Sequence, residues 1–307
     1  ISGTKVPRFA GPSTFARLPE LRDVESCDVA IVGVPFDAGT SYRPGARFGP
    51  QAIRQASRHL RTNYHPNYDT APFKDKQFAD AGVITCNPFN IKEAIEQIQK
   101  SATELLTKVG GIISMGGDHT IALPLLRAVN HKNKGQVALV HFDAHLDTWD
   151  TYFGAPYTHG TPFRRAREEK LFLEDSSMHV GIRGPLYSRD DLKNDAEFGF
   201  KIIHCDEFQT EGIDKIVKRI KDKVGNKPLY LSIDIDVLDP SHAPGTGTPE
   251  IAGMTTREMV NVLRGLAGVN LISADVVEVS PAYDHAELTS LAAATIVYEL
   301  TNLFAKS

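Results

Sequence analysis

Five short runs of consecutive apolar, largely β-branched positions punctuate the chain, at 28–34 (DVAIVGV), 111–115 (GIISM), 137–142 (VALVHF), 229–233 (LYLSI) and 272–277 (ISADVV). Runs of this kind, without alternation, predict strands buried on both faces. Between the first two, Ile91, Ala94, Ile95, Ile98, Ala102, Leu105, Leu106 and Val109 recur at helical spacing, and Gly110-Gly111 stops the pattern. That predicts one clear helix. Further helices are expected near 50–61, 120–130, 212–224, 255–267 and 285–305. The alternation predicts an open, mainly parallel α/β sheet with helices on both faces, with a (β/α)₈ barrel as the alternative. No repeat or linker divides the chain. One domain is expected over 1–307, with 1–27 an N-terminal extension and loop packed on it.

Polar residues sharpen this picture. Four of the runs end in Gly116-Gly117-Asp118-His119, Asp143-Ala144-His145-Leu146-Asp147, Asp234-Ile235-Asp236-Val237-Leu238-Asp239-Pro240 and Glu278-Val279-Ser280-Pro281. In an open parallel sheet the carboxyl ends of the strands share one edge, where ligands bind. Successive side chains on a strand point to opposite faces, so the i, i+2, i+4 spacing aims Asp143, His145 and Asp147 the same way, and Asp234 and Asp236 repeat it. Acids gathered beside apolar strands are costly unless paired, and these motifs bring no Lys or Arg. A divalent metal resolves the charge. Oxygen and nitrogen donors without thiolate favour Mn²⁺, with Fe²⁺, Co²⁺, Ni²⁺ or Zn²⁺ as alternatives. Asp143, Asp147, Asp234 and Asp236 carry four negative charges, which two divalent ions neutralise. A lone Asp-x-Asp is usually a solvated loop, a metal site about one time in ten; three clusters, each after a buried strand, are not accounted for that way.

Composition narrows the partner. Of 307 residues 41% are hydrophobic and 23% charged, the net charge is -4 and the pI about 6.3. No basic surface for nucleic acid or an anionic membrane is expected; a small soluble substrate is. Cys27, Cys86 and Cys205 are widely spaced and read as buried thiols in a reducing compartment. No apolar run approaches the ~20 residues that span a bilayer, and Ile1-Ser2-Gly3-Thr4-Lys5 lacks a signal peptide's apolar region. Cytoplasm is the expected location, with the mitochondrial matrix the alternative because the chain starts without Met.

Taken in order, Met115–His119, Asp143–Asp147 and Ser232–Gly247 resemble the three signatures of the ureohydrolase family of arginases, agmatinases, guanidinobutyrases and proclavaminate amidinohydrolases. The resemblance runs from about residue 12 to the C-terminus. It implies a three-layer αβα sandwich with an eight-stranded parallel sheet, as in arginases and deacetylases, two Mn²⁺ per subunit, and a homo-oligomer, trimer or hexamer. His119, Asp143, Asp147 and Asp234 would hold one ion, and Asp143, His145, Asp234 and Asp236 the other. Asp118 and Asp239 would orient these ligands. Glu278 matches the family's guanidinium-binding glutamate, a role suited to paired charge-assisted hydrogen bonds. His159 matches a histidine that passes a proton to the leaving amine. The implied reaction is attack of water, activated between the ions, on the guanidinium carbon, giving urea and an amine; Asp147, His159 and Glu278 are the expected catalytic residues. His141 is expected to pack in the core or support the ligands from behind rather than take part in catalysis, and His242 and His285 to reach the pocket rim.

Arginases read their substrate with a loop of Asn and Ser that Thr148–Tyr157 lacks, whereas 43–50, 159–166 and 245–250 resemble the agmatinase branch. Agmatine is therefore the expected substrate, with a guanidino acid such as 4-guanidinobutyrate as the alternative. Asp150 could pair with an amine tail, and Arg43 or Tyr157 with a carboxylate. Two remoter alternatives are a one-zinc metal-dependent deacetylase and a non-catalytic binding protein; the latter predicts decayed ligands, and all six are present.

Overall fold

The structure, a computed structural model, describes residues 3–307; Ile1 and Ser2 of the expected N-terminal extension lie outside the described residues. Strands β1 (Val29–Val34), β2 (Phe78–Val83), β3 (Gly111–Gly116), β4 (Ala138–Phe142), β5 (Met178–Ile182), β6 (Lys201–His204), β7 (Leu229–Asp234) and β8 (Leu271–Val277) form one sheet, in the order β2-β1-β3-β8-β7-β4-β5-β6. Every neighbouring pair is parallel. Free edges at β2 and β6 rule out the barrel. The sandwich follows from side-chain alternation: Val29 and Ile31 of β1 pack with Gly49–Ser57, Ile213–Val224, Thr256–Gly265 and Leu288–Lys306 on one face. Ala30, Val32 and Val34 pack with Ile91–Leu106, Ala122–Asn133 and Pro162–Glu168 on the other. Both faces are dry, hence the continuous apolar runs.

The strands absent from the sequence reading have a common cause. β2 and β6 are edges with partly exposed patterns, and β5 interrupts its apolar residues with His179 and Gly181. The helix expected at 285–305 begins later, at Leu288, because the Asp284 carboxylate accepts from the Thr289 and Ser290 amides at 2.9 and 3.0 Å and Glu287 is left-handed. That helix also corrects the membrane expectation. Its 19 residues, mean hydropathy 1.3, are by length and composition enough to cross a bilayer, and 78% of that stretch is buried inside the protein. It packs on β8 and on the helices Gly49–Ser57 and Thr256–Gly265. Its buried polar groups are all paired within the fold: Glu299 with Arg264 at 2.9 Å and His65 at 3.2 Å, and Asn302 with Thr70 at 2.6 Å.

Upstream of β1, the Phe15 amide donates to Asp80 of β2 at 2.7 Å and the Ala16 amide to Ser57 at 2.7 Å. Cys27 and Cys205 are buried, Cys86 partly so, and all three are free.

Candidate metal centre and cleft

The four polar segments follow β3, β8, β7 and β4, which are consecutive across the middle of the sheet. Crossover topology therefore brings them together at one carboxyl edge. The local geometry differs from the expected strand alternation. β4 ends at Phe142, and Asp147 has φ +54°. What gathers the ligands is a turn: Asp143 Oδ1 accepts from the His145 amide at 2.6 Å, and Asp236 Oδ1 from the Ala144 amide at 3.1 Å. A short side-chain acceptor two residues behind an amide folds the chain back where ladder partners stop. Asp234 is the last residue of β7, and Asp236 sits in the following single turn, its amide 2.8 Å from Asp234 Oδ1. Asp147 and Glu278, φ +65°, are held in left-handed conformations that cost about 1–3 kcal/mol each. Phe163 N bonds Asp147 O at 3.1 Å and Glu278 N bonds Gly117 O at 2.9 Å, fixing both.

Two clusters result. His119 Nδ1 lies 3.0 Å from Asp147 Oδ2, 3.2 Å from Asp143 Oδ2 and 3.3 Å from Asp234 Oδ2. His145 Nδ1 lies 3.1 Å from Asp236 Oδ2 and 3.2 Å from Asp143 Oδ1. Asp143 thus offers one oxygen to each cluster. His119 Nδ1 and Asp236 Oδ2 are buried without hydrogen-bond partners. Donors left bare in this way fit a cation better than a solvent-free core. His141 also falls within metal-holding distance of His119, Asp143 and Asp147. Its Nε2 is taken by Asp143 Oδ2 at 2.8 Å and its Nδ1 by His179 at 2.7 Å, so it supports rather than ligates.

Charge says the same. Burial first, then the charges of Asp236 and Asp143, holds the Asp234 carboxyl well above its usual range; burial and Asp143 push Asp236 up to about 6. Burial would lower His119 and His145, but their carboxylate neighbours outweigh it and raise both. Without metal the site must hold protons where divalent ions would hold it together. Behind the ligands, His119 Nε2 meets Ser232 Oγ at 2.8 Å, and that hydroxyl donates to Asp275 at 2.8 Å. His145 Nε2 faces Glu250 at 3.8 Å. Carboxylates placed behind metal-binding histidines fix their tautomer and ring orientation.

A cleft of about 550 Å³ opens over His145, Asp147 and Asp234. One wall is Trp149, Tyr152 and Tyr187, packed edge to face at 5.5 to 6.1 Å. Gly160 makes room for it, since a Cβ there would stand 2.8 Å from the Tyr152 ring. His159 also lines the cleft: its Nδ1 is 3.0 Å from Glu278 Oε1, and its Nε2 is 2.7 Å from Ser41 Oγ. Glu278 sits behind it, 1% exposed, with Oε1 also accepting from the His119 amide at 2.9 Å and Oε2 unpartnered. Burial disfavours the His159 imidazolium, yet Glu278, aided by Asp147 and Asp118, raises its pKa to about 9. The Ser41 amide, 3.1 Å from Nε2, pulls the other way by favouring a bare nitrogen. Asp118 caps the turn that carries His119 and binds the Gly39 amide at 2.7 Å, and Asp239 braces its own loop through Ser241 and Gly253.

Four expected positions fall elsewhere. Asp150 does not line the cleft; its carboxylate turns outward to Arg165 at 2.5 Å. Tyr157 packs with the helix layer beside Arg127, because the loop folds back there. His242 lines a separate groove against the C-terminal helix, and His285 is exposed. Sequence reasoning missed the aromatic wall, Ser41, Glu250, Ser232, Asp275 and His179. A usable signal existed for two: Ser232 and Asp275 are polar positions inside strands otherwise apolar on both faces, where an unpaired polar group would not be tolerated.

Known proteins share this architecture. The arginase-family model matches residues 27–302. A guanidinopropionase of Pseudomonas aeruginosa is 42% identical, with 100% of this chain and 96% of that protein covered. A mitochondrial agmatinase of Gallus gallus is 40% identical over 96% of this chain and 86% of its own length. Among solved structures, proclavaminate amidinohydrolase of Streptomyces clavuligerus superposes with a TM-score of 0.93 at 41% identity, covering 98% of this chain and 99% of that one. The fold, the paired clusters at its carboxyl edge and a match over nearly the whole length converge on one statement: the chain belongs to the arginase family, as a ureohydrolase.

Proposed function

We propose that this chain is a single-domain binuclear enzyme that hydrolyses a linear guanidino compound to urea and an amine, with agmatine, giving putrescine, as its first substrate. The observation that carries this reading is Asp143, whose two oxygens face two separate histidine-carboxylate clusters at 3.2 Å each, beside Glu278. His119, Asp143, Asp147 and Asp234 would hold one ion, and Asp143, His145, Asp234 and Asp236 the other. Mn²⁺ suits this oxygen-rich donor set. Bound divalent ions lower the pKa of water from about 15.7 toward 7 and so supply the nucleophile. Glu278 Oε2, buried and unpartnered, is the acceptor available to a planar guanidinium. As the bond from the guanidinium carbon to the alkylated nitrogen breaks, His159 gives that nitrogen a proton and the amine leaves.

A guanidino acid is the second reading, favoured by Arg43. Arg43 lines the cleft, and its guanidinium lies over the Tyr42 and Tyr283 rings at 5.3 and 5.2 Å with no carboxylate partner among the described residues. Relatives are named for both kinds of substrate, an agmatinase and a guanidinopropionase among them. Urea release from agmatine and from 4-guanidinobutyrate by Mn²⁺-loaded protein decides between them; no urea from either would sink the hydrolase reading. A trimer or hexamer in the cytoplasm completes the proposal, the matrix being the alternative given the mitochondrial relative; light scattering of the purified protein reads the assembly.

A further inference from the structure

Away from the cleft, a line of polar side chains leaves Asp143 and crosses the dry interior of the sheet. His141 Nε2 is 2.8 Å from Asp143 Oδ2, His141 Nδ1 is 2.7 Å from His179 Nδ1, and His179 Nε2 is 3.2 Å from Asp195 Oδ1. The Thr148 hydroxyl donates to that same oxygen at 2.9 Å. Asp143, His141, His179 and Asp195 are all 0% exposed. His141 and His179 are register partners on β4 and β5, so strand pairing itself sets the rings side by side. Phe163 and Phe200 close on them, with ring centroids 4.3 Å from His141 and 3.9 Å from His179. Asp195 comes from the helix Asp191–Glu197, a polar segment of which it is the one buried residue. An acid turned inward from a surface helix, its Oδ2 unpartnered, is expensive unless the inward contact has a use.

Hydrogen-bond direction supplies the use. Two of the three contacts join a ring nitrogen to a carboxylate oxygen, which can only accept, and the third joins the two Nδ1 atoms. With Asp195 at the far end, His179 Nε2 has a partner and every ring nitrogen in the line is engaged. His141 then presents Nε2–H to Asp143 Oδ2. If Asp195 were removed, His179 Nε2 would lose its partner and both rings could reverse their protons, leaving a bare His141 nitrogen against a carboxylate oxygen.

We propose that Asp195, acting through His179 and His141, is a positioning residue that sets the orientation of the Asp143 carboxylate between the two clusters. The proposal rests on the reading of Asp143 as their shared ligand. The same helix also grips the cleft wall: Asp191 accepts from Trp149 Nε1 at 3.4 Å and from the Tyr187 amide at 3.1 Å. One short helix thereby ties the aromatic wall to the back of the metal centre.

Calorimetric titration of metal-free protein with Mn²⁺, with no substrate present, tests this. Asp195→Leu is expected to weaken Mn²⁺ binding by about 10- to 100-fold, the usual effect of removing a group behind a ligand, with the far-ultraviolet dichroism unchanged. Asp195→Asn is expected to bind within about threefold of wild type, because the side-chain amide can still meet His179 Nε2. His179→Phe keeps ring volume beside Phe200, severs the chain elsewhere, and is expected to match Asp195→Leu; it carries the test if the leucine variant fails to fold. Wild-type affinity in the folded Leu or Phe variant overturns the proposal. So does an asparagine variant as weak as the leucine one, which would mark a packing role only. Wild-type protein that takes up a single ion would instead overturn the shared-ligand reading on which the proposal stands.

Discussion

His159 Nδ1 stands 3.0 Å from Glu278 Oε1, which joins the residue assigned to the guanidinium with the residue assigned to the departing proton. Each also holds something else in place: Glu278 binds the His119 amide, and His159 binds Ser41. A change at either end is felt along the whole line from cleft to metal, and the two ends can be separated by experiment.

Replacing Glu278 with Gln keeps the shape and removes the charge. A buried carboxylate paired with a cation is worth about 2–4 kcal/mol, so kcat/KM for the guanidino substrate should fall roughly 30- to 1000-fold. Steady-state urea release measures it, and a change under about threefold would show that the cation binds elsewhere.

His159→Asn should lower kcat by about 10²–10⁴-fold, the range for losing a general acid, while leaving metal content at the wild-type value. It should also change how the metal-free protein responds to pH. The folded pKa of about 9 lies above the ordinary histidine value of 6.5, so the stabilisation is complete below pH 6.5 and is lost as pH rises through 9. Melting temperatures in chelator across that window should fall less steeply for the variant than for wild type.

Asp143→Asn removes the oxygen pair shared by both clusters. Metal analysis after dialysis against limiting Mn²⁺ should show loss at both positions rather than one, and urea production should vanish with it. Retention of two ions per chain would contradict the shared-ligand geometry.

Metal affinity should climb with pH. The ligands His119 and His145 are raised above 6.5 and Asp236 to about 6, so binding must displace protons near neutrality. Each proton displaced contributes up to about tenfold in affinity per pH unit. Titrations in buffers of different ionisation enthalpy count those protons; an affinity flat between pH 6 and 8 would rule this out. In the metal-free protein the stability contributed by Asp236 and Asp118 is present below pH 3.8, the ordinary aspartate value, and is lost as pH rises through 6 and 7.

Arg43→Gln separates the two tails. It should weaken turnover of 4-guanidinobutyrate and leave agmatine unchanged or improved if the cleft receives a carboxylate at Arg43. Asp150→Ala is the control: an exposed pair with Arg165 contributes about 0–1 kcal/mol at most, and both substrates should be turned over as by wild type.

Strand-end chemistry was readable before any coordinates because each cluster follows an uninterrupted apolar run, and such a run can only be a strand sealed on both faces. Asp143, His145, Asp147, Asp234 and Asp236 are legible this way, whereas the roles of His119 and Glu278, whose segments end two further runs, come from the family resemblance. The reason given for their convergence was incomplete. Alternation along a strand does not aim Asp143, His145 and Asp147; a turn closed by the Asp143 and Asp236 carboxylates does, and such turns depend on where the partner strand stops.

What the chain determined alone was which residues could bind metal, since that depends on donor chemistry and on burial that local pattern reports. What only the tertiary structure decided was who stands beside whom. Strand order β3-β8-β7-β4 sets four distant segments side by side. Register sets His141 against His179, and a loop turns Asp150 outward to Arg165 while Arg43 comes in. Those facts rest on contacts between residues tens to hundreds of positions apart, and hydrophobic periodicity, a property of neighbours, holds no record of them.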